Sequence, residues 1–270
     1  MRARWARLFR LLAVLALMAF WALGALHGVG TDGDYHLSLH RQLGASQATG
    51  LTWDGVERAT RALVQCLKTG DTAPLSYEDQ VYGAVQPVFN EREIAHMVDV
   101  AALFVLLRQV LWALAAAVLA FALLSLVLDR GKANPSQDAA PKRFPHPGQS
   151  PSPVAPAGSH AAACSAPAGG RALRAWGKAL VGGAALFLGL AGLLALICAL
   201  DFNRAFIAFH HLFFTNDLWL LDPATDLMIR LLPETFFAQV AGRAALLALL
   251  GPAGALVLGV LLNRIGRKRL

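Results

Sequence analysis

The chain has 270 residues, of which 56% are hydrophobic and 15% are charged, and its formal net charge is +7. The hydrophobic residues lie in long blocks with the charges between them, a pattern that excludes an ordinary water-soluble domain. The three cysteines, Cys66, Cys164 and Cys198, show no CxxC or metal-finger spacing, which argues against a disulfide scaffold or a zinc finger.

Four hydrophobic segments are each long enough to cross a bilayer, which requires about 20 residues. We predict membrane-spanning helices at 8–27, 99–128, 179–200 and 239–262. The first segment follows a basic start and therefore also fits a signal peptide. Its long hydrophobic run and the lack of a small-residue cleavage site favour a retained helix.

The distribution of basic residues predicts the orientation of the helices. Lysine and arginine are concentrated in the segments 1–10, 129–178 and 263–270. These segments contain only two acidic residues, Asp129 and Asp138. By the positive-inside rule these segments are cytoplasmic, so 28–98 and 201–238 lie on the outer side. The basic surplus then attracts anionic lipid of the inner leaflet, and the sequence does not predict nucleic-acid binding.

The first outer segment has the patterns of a small α(+β) cap. Residues 35–40 alternate between apolar and polar types, which predicts a short strand. An amphipathic helix is expected over 52–69, with Thr52 as its N-cap and Gly70 at its end. Residues 76–79 have the pattern of another helix start.

The helix that contains the second span is predicted to be longer than the membrane is thick. Residues 91–128 contain neither proline nor glycine, and a helix of this length exceeds the hydrocarbon core of about 30 Å. The excess projects on the outer side and carries Glu93, His96 and Asp99 along one face. Arg108 lies deeper, so we expect it to face protein, water or a lipid headgroup.

The last two regions differ sharply in composition. Residues 133–170 are rich in proline, alanine, serine and glycine, which predicts a disordered cytoplasmic linker without a chemical role. Residues 201–238 are aromatic and amphipathic but too short and polar to span, which indicates an interfacial loop. The sequence thus predicts a mainly α fold, a four-helix polytopic membrane protein with a small extracytoplasmic α(+β) cap and an interfacial loop.

The predicted topology brings two histidines to the same outer level, His96 on the long helix and His210 in the interfacial loop. Asp99 lies within reach of His96, and Asp217 or Asp222 within reach of His210. A neighbouring carboxylate fixes the tautomer of an imidazole and raises its basicity, which suits proton transfer near neutral pH.

The same residues are compatible with less specific interpretations. His96 also fits a helix-surface residue that pairs with Asp99 or Glu93, and an aromatic outer loop is often only an interfacial belt. A zinc site built from side chains such as Glu93, His96, Asp99, His210 and Asp217 is the chemical alternative, but no His-Glu-x-x-His motif is present. No motif of an activated serine or cysteine nucleophile occurs in the outer segments. In an acyl transfer the nucleophile therefore belongs to the substrate.

The two outer motifs carry a family resemblance. Arg92-Glu-Ile-Ala-His-Met-Val-Asp-Val100 and Phe209-His-x-Leu-Phe-Phe-x-Asn-Asp-x-Trp219, with Leu221-Asp-Pro223 and Pro233-Glu-x-Phe-Phe237, resemble the bacterial lipoprotein intramolecular transacylase (Lit) family. The resemblance implies a four-span enzyme of the bacterial cytoplasmic membrane. Such an enzyme moves an acyl chain from the diacylglyceryl group of a lipoprotein to the α-amine of its N-terminal cysteine, leaving a lyso-form lipoprotein. Its partners are then diacylated lipoproteins and membrane lipid, with the site at the outer leaflet and both termini in the cytoplasm.

The resemblance also implies residue roles, since the two important histidines of the family match His96 and His210. His210 is expected as general base and His96 as an electrostatic or second proton-transfer partner, although the order can be reversed. The supporting residues are Asp99 and Asp217 to orient the histidines, His96, Asn216 or Trp219 to stabilise an oxyanion, Glu93 in support, and Arg108, Phe209, Phe213 and Phe214 to contact substrate lipid. No metal or cofactor is expected. The alternatives are a non-catalytic membrane interaction protein and a metal-dependent membrane hydrolase.

Overall fold

The structure is a computed structural model that describes residues 1–130 and 168–268. Its four long helices are α1 (Arg2–Gly30), α5 (Glu91–Arg130), α6 (Ala168–Leu200) and α9 (Glu234–Lys268). The shorter elements are α2 (Gly33–Gln42), α3 (Ala45–Thr49), α4 (Trp53–Thr69), β1 (Glu78–Val81), β2 (Ala84–Pro87), α7 (Phe202–Phe213) and α8 (Leu227–Leu231). The mainly α fold class with a small β component is confirmed.

The four long helices form one bundle, and each is long and apolar enough to cross a membrane. Helix α1 packs against α5, α6 and α9, and α6 packs along α9. Close packing of α6 and α9 depends on small residues, because a Cβ atom added at Gly177 would lie 2.7 Å from the carbonyl oxygen of Gly259. The indole Nε1 of Trp21 donates to the carbonyl of Leu247 at 2.8 Å, which ties α1 to α9.

The cap packs on the N-terminal end of α5. Helix α4, the β-hairpin and α8 share a core that includes Val56, Leu75, Val81 and Leu231. Met97 and Ala101 of α5 belong to the same core, so the first turns of this helix are part of the cap rather than of the lipid-facing bundle. The end of α5 that carries His96 is thereby held on several sides.

Two local predictions for the cap were wrong. Residues 35–40 lie in α2 rather than in a strand, because Asp32 caps the helix by accepting from the backbone N–H of Tyr35 at 3.0 Å. Residues 78 and 79 begin β1 rather than a helix, and β1 pairs antiparallel with β2. The two-residue turn between the strands has positive φ at Tyr82 and Gly83, the geometry of a tight hairpin.

Other local predictions agree with the structure. Thr52 caps α4 by accepting from the backbone N–H of Gly55 at 3.1 Å, and Gly70 ends this helix in the left-handed conformation. The predicted linker over 133–170 lies outside the described residues except for 168–170, which form the start of α6.

Candidate functional site

The long helix α5 starts with a reciprocal cap that positions the first half of the site. The side-chain oxygen of Asn90 accepts from the backbone N–H of Glu93 at 3.0 Å, and the Glu93 carboxylate accepts from the backbone N–H of Asn90 at 2.7 Å. The second carboxylate oxygen of Glu93 accepts from the backbone N–H of Met228 at the start of α8. Glu93 is therefore buried and links α5 to α8. The support that was predicted for it consists of holding the first turns of α5 in place.

One turn further along α5 lies His96, and α7 brings His210 beside it. Asp201 caps helix α7, because its carboxylate accepts from the backbone N–H of Arg204 at 3.0 Å. The two imidazole rings lie 6.0 Å apart between centroids with an angle of 33° between their planes. Both histidines are buried, although they are 114 positions apart in the chain (210 minus 96).

A backbone carbonyl, and not a carboxylate, orients His210. Its Nδ1 lies 2.7 Å from the carbonyl oxygen of Phe206, four residues earlier in α7. A carbonyl only accepts hydrogen bonds, so Nδ1 carries the proton and Nε2 keeps its lone pair. Burial lowers the pKa of His210. The Phe206 carbonyl raises it and the neighbouring His211 lowers it, with a net shift below the ordinary histidine value.

The predicted orienting aspartates make other contacts. Asp99 accepts from the side-chain amide of Asn216 at 2.8 Å, and the backbone carbonyl of Asp217 accepts from Arg92 at 2.7 Å. Within the described residues, neither aspartate hydrogen-bonds to a histidine. Both contacts join the N-terminal end of α5 to the loop after α7, so their effect on the site is to position this loop.

Aromatic rings enclose the histidine pair. Around His210 lie Phe206 at 4.3 Å and Trp219 at 4.8 Å between ring centroids, and Phe214 packs edge-on against His96 at 5.3 Å. Phe214 is buried, whereas the neighbouring Phe209 and Phe213 are about half exposed, at 46% and 49%. The half-exposed rings thus present an apolar surface beside His210, since Phe209 packs on His210 and Phe213 packs on Phe209.

Two buried nitrogens of the site have no hydrogen-bond partner among the described residues. They are Nδ1 of His96 and the indole Nε1 of Trp219. A buried indole N–H without an acceptor is costly, and such groups in natural proteins usually mark a place where a ligand or water supplies the partner. By contrast, the Asn216 amide that was predicted as an alternative donor is engaged with Asp99.

Arg108 does not join the site. It lies 12 positions beyond His96 on α5, about 18 Å along the helix axis. Its guanidinium donates to the backbone carbonyl of Lys68 in the last turn of α4. It therefore contacts protein at the end of a cap helix, which is one of the three surroundings predicted for it, and its contact with substrate lipid stays a prediction.

A second pair of histidines was not recognised because residues 35–40 were predicted as a strand. His36 and His40 are one turn apart on α2. His36 Nε2 lies 3.0 Å from the Val29 carbonyl, and His40 stacks on Phe236 at 4.9 Å. Burial, followed by the nearby His36, lowers the pKa of His40 to about 4. Across the described parts of the chain, no group of three or more His, Cys, Asp or Glu side chains is arranged to hold a metal ion.

The composition of the helices and the geometry of the site together define the class of protein. The chain is a membrane-integral protein with four apolar helices, a cap on one end of the bundle, and a buried histidine pair at the same end.

Comparison with known proteins narrows this class of membrane protein to a family resemblance. Residues 170–237 match the family model described as lipoprotein intramolecular transacylase Lit. The fold is similar to the membrane-integral lipoprotein intramolecular transacylase Lit from Bacillus cereus, with a TM-score of 0.67 and 20% sequence identity, over 98% of this chain and 99% of that chain. The resemblance to the Lit family that the sequence motifs indicated is confirmed.

Two variants of the Bacillus cereus protein show the same fold. In one a single histidine is replaced by arginine, with a TM-score of 0.63 over 99% of this chain and 96% of that chain. In the other a histidine is replaced by alanine, with a TM-score of 0.60 over 98% and 96%. Both are 20% identical to this chain. No sequence among curated proteins matches this chain.

Proposed function

We propose that this chain is a lipoprotein intramolecular transacylase. It transfers an acyl chain from the diacylglyceryl group of a bacterial lipoprotein to the α-amine of the same N-terminal cysteine. The Lit family match over 170–237 and the fold shared with the Bacillus cereus enzyme support this activity. The observation that carries the mechanism is the buried pair of imidazoles at 6.0 Å, one of which has its tautomer fixed by a helix carbonyl.

His210 acts as the general base. Its Nδ1–H donates to Phe206, so Nε2 is free to take a proton, and the lowered pKa keeps the ring neutral at physiological pH. The amine of the substrate has an ordinary pKa of about 7.7–8.0, so little energy is needed to release its proton. The amine nitrogen attacks the ester carbonyl carbon, and a nitrogen–carbon bond forms while the proton moves to His210.

The next step breaks the carbon–oxygen bond of the ester. The glyceryl oxygen leaves and receives the proton from the histidine pair, so the products are an amide and a free hydroxyl. No water is consumed and the mass of the lipoprotein is unchanged. Because donor and acceptor belong to one molecule, holding them in a reactive geometry supplies a large part of the rate enhancement.

Trp219 is the preferred donor to the oxyanion that forms between these steps. Its Nε1–H is buried, unpartnered within the described residues and adjacent to His210. Asn216 has a different part, since its amide binds Asp99 and its side-chain oxygen accepts from the backbone N–H of Leu218 at 3.1 Å. Asp99 and Asn216 thus hold the loop on which Trp219 sits, and His96 provides the second imidazole for charge stabilisation or proton transfer.

The proposed setting is the outer leaflet of the cytoplasmic membrane. The positive-inside distribution of lysine and arginine supports cytoplasmic termini and a cap on the outer side. Phe209 and Phe213, which are half exposed beside His210, fit contacts with the acyl chains of a diacylated lipoprotein. The substrate then reaches the histidines laterally from the leaflet in which its lipid is embedded.

The test is to express the chain in a bacterium whose lipoproteins carry a free, diacylated N-terminus. Mass spectrometry of the lipopeptides is expected to show unchanged total mass with one acyl chain moved to nitrogen. His210→Ala and His96→Ala are expected to abolish the transfer at normal expression, whereas His211→Ala, the exposed neighbour on α7, retains it. Unmodified lipoproteins in the presence of well-folded protein contradict the proposal, and loss of activity with a chelator favours a metal-dependent hydrolase instead.

A further inference from the structure

The bundle contains a basic cleft at the end opposite the histidine pair. The cleft lies between the first turns of α1 and α6 and has a volume of about 520 Å³. Five of its lining residues are cationic, namely Arg7, Arg10, Arg171, Arg174 and Lys178, and the others are Leu11, Ala175 and Ala179. Both helices begin at this end, so their backbone N–H groups add positive potential to the side chains.

The helical spacing explains why these cations converge. Arg7 and Arg10 are three residues apart on α1, and Arg171, Arg174 and Lys178 follow the same face of α6 at intervals of three and four residues. The packing of α6 on α9 helps to fix this face, because the Cγ atom of Arg174 would lie 2.5 Å from a Cβ atom added at Gly266. The basic lining is thus a consequence of the helix packing.

The positive charge of the cleft is only partly neutralised. Arg10 is buried and forms an ion pair with Asp129 at the end of α5. In the described ranges 1–130 and 168–268, no carboxylate pairs with Arg7, Arg171, Arg174 or Lys178. Arg171 also lies in the first turn of α6, where a cation is disfavoured by the helix dipole. An anion bound in the cleft relieves the repulsion among the cations and the repulsion between Arg171 and the helix dipole.

We propose that this cleft binds the phosphate group of an anionic glycerophospholipid. The cleft opens between two membrane-spanning helices, and its apolar lining residues are the exposed Leu11 of α1 with Ala175 and Ala179 of α6, so an acyl chain attached to the bound phosphate finds an apolar surface beside it. Arginine pairs bind phosphate oxygens through several N–H groups at once. A small soluble anion uses only the charges, whereas a phospholipid uses the charges and the apolar faces.

The cleft lies far from the histidine pair, so lipid binding in the cleft is separate from acyl transfer at the histidines. From His96 to Asp129, which contacts the cleft residue Arg10, α5 runs for about 50 Å. This distance exceeds the hydrocarbon thickness of about 30 Å, so the histidine pair and the cleft belong to opposite membrane surfaces. The bound lipid is therefore not the substrate, and the inference does not depend on the proposed transacylase activity.

The test uses the full chain purified in detergent. Binding of phosphatidylglycerol is compared with binding of phosphatidylcholine by native mass spectrometry, with inorganic phosphate as a third probe. The variant Arg171→Gln/Lys178→Gln removes two exposed cations of the cleft. The control Arg2→Gln/Arg4→Gln removes two exposed cations of the same end that do not line it. Both variants leave the buried Arg10 pair intact, and their melting temperatures in phosphatidylcholine verify folding.

We expect the wild-type chain and the control to prefer phosphatidylglycerol, and the cleft variant to lose about 10-fold or more of that affinity. An equal loss in both variants means diffuse surface attraction and overturns the inference. No preference for phosphatidylglycerol in the wild type also overturns it, and so does inorganic phosphate that displaces the lipid at millimolar concentration. Acyl transfer by the cleft variant in phosphatidylcholine nanodiscs is expected to remain, since the cleft is remote from the histidines.

Discussion

Replacement of Trp219 by phenylalanine tests the least conventional part of the proposed mechanism. The substitution keeps an aromatic ring against His210, 4.8 Å away in the native chain, and removes only the indole N–H and part of the ring area. Loss of one oxyanion donor typically lowers kcat by about 100- to 1,000-fold, or about 3–4 kcal/mol of transition-state stabilisation. We expect a decrease of this size in the rate of acyl transfer, measured by quantitative mass spectrometry of lipopeptides, with little change in KM.

The stability of the same variant distinguishes a catalytic from a structural effect. The lost ring area destabilises the fold, whereas removal of a buried donor without a partner in the described structure acts in the opposite direction. The free energy of unfolding is therefore expected to change by less than about 1 kcal/mol. Trp112→Phe, on the exposed face of α5, serves as the matched control with full activity. A Trp219→Phe enzyme with a rate within about threefold of the wild type would refute the assignment of this donor.

Three further predictions follow from the buried polar residues. Protonation of the substrate amine lowers kcat/KM as the pH falls through about 7.7–8.0, and protonation of His210 adds a second fall. Because the pKa of His210 is lowered, this second fall is expected only below the ordinary histidine value of about 6.5, and a pH–rate profile without it contradicts the assignment of the base. Glu93→Gln places an amide group where the carboxylate accepts from Met228 and from its own helix cap, so thermal unfolding should reveal a loss of about 1–3 kcal/mol, with the exposed Glu91→Gln unchanged. His40 has a folded pKa of about 4, below its unfolded value, so its contribution to stability is present above about pH 6.5 and is lost as the pH falls toward 4. His40→Phe should therefore show a smaller decrease in Tm between pH 7 and pH 5 than the wild type, and equal decreases contradict the role of this residue.

The parts of the fold that follow from hydropathy and charge were predictable from the sequence. The four long apolar helices, the overlong α5 and the meeting of His96 with His210 at one level all derive from segment length and order. The prediction of a strand over 35–40 failed because a six-residue stretch fits a period of two and a helical period almost equally well. Its capping residue Asp32 carried the missing information.

The contacts that orient the site were harder to predict, because they depend on tertiary packing. The expectation that a carboxylate orients His210 follows a common pattern, but in this fold α7 supplies a backbone carbonyl from Phe206. The role of Glu93 was accessible from its spacing to Asn90, which is that of a capping box, although its bond to Met228 was not. Nothing in the sequence near Trp219 indicates that its indole nitrogen lacks a partner in the described part of the chain.

The acceptor that fixes the tautomer of His210 belongs to the backbone of the same helix, and this links reactivity to local folding. The bond from Nδ1 to the Phe206 carbonyl exists only while the last turns of α7 are wound. An amphipathic helix of 12 residues is marginal in water, so in the proposed setting α7 gains part of its helicity from the membrane surface. In this proposed setting, lipid contact also keeps the base in its reactive tautomer, and detergents that unwind α7 are expected to abolish the activity.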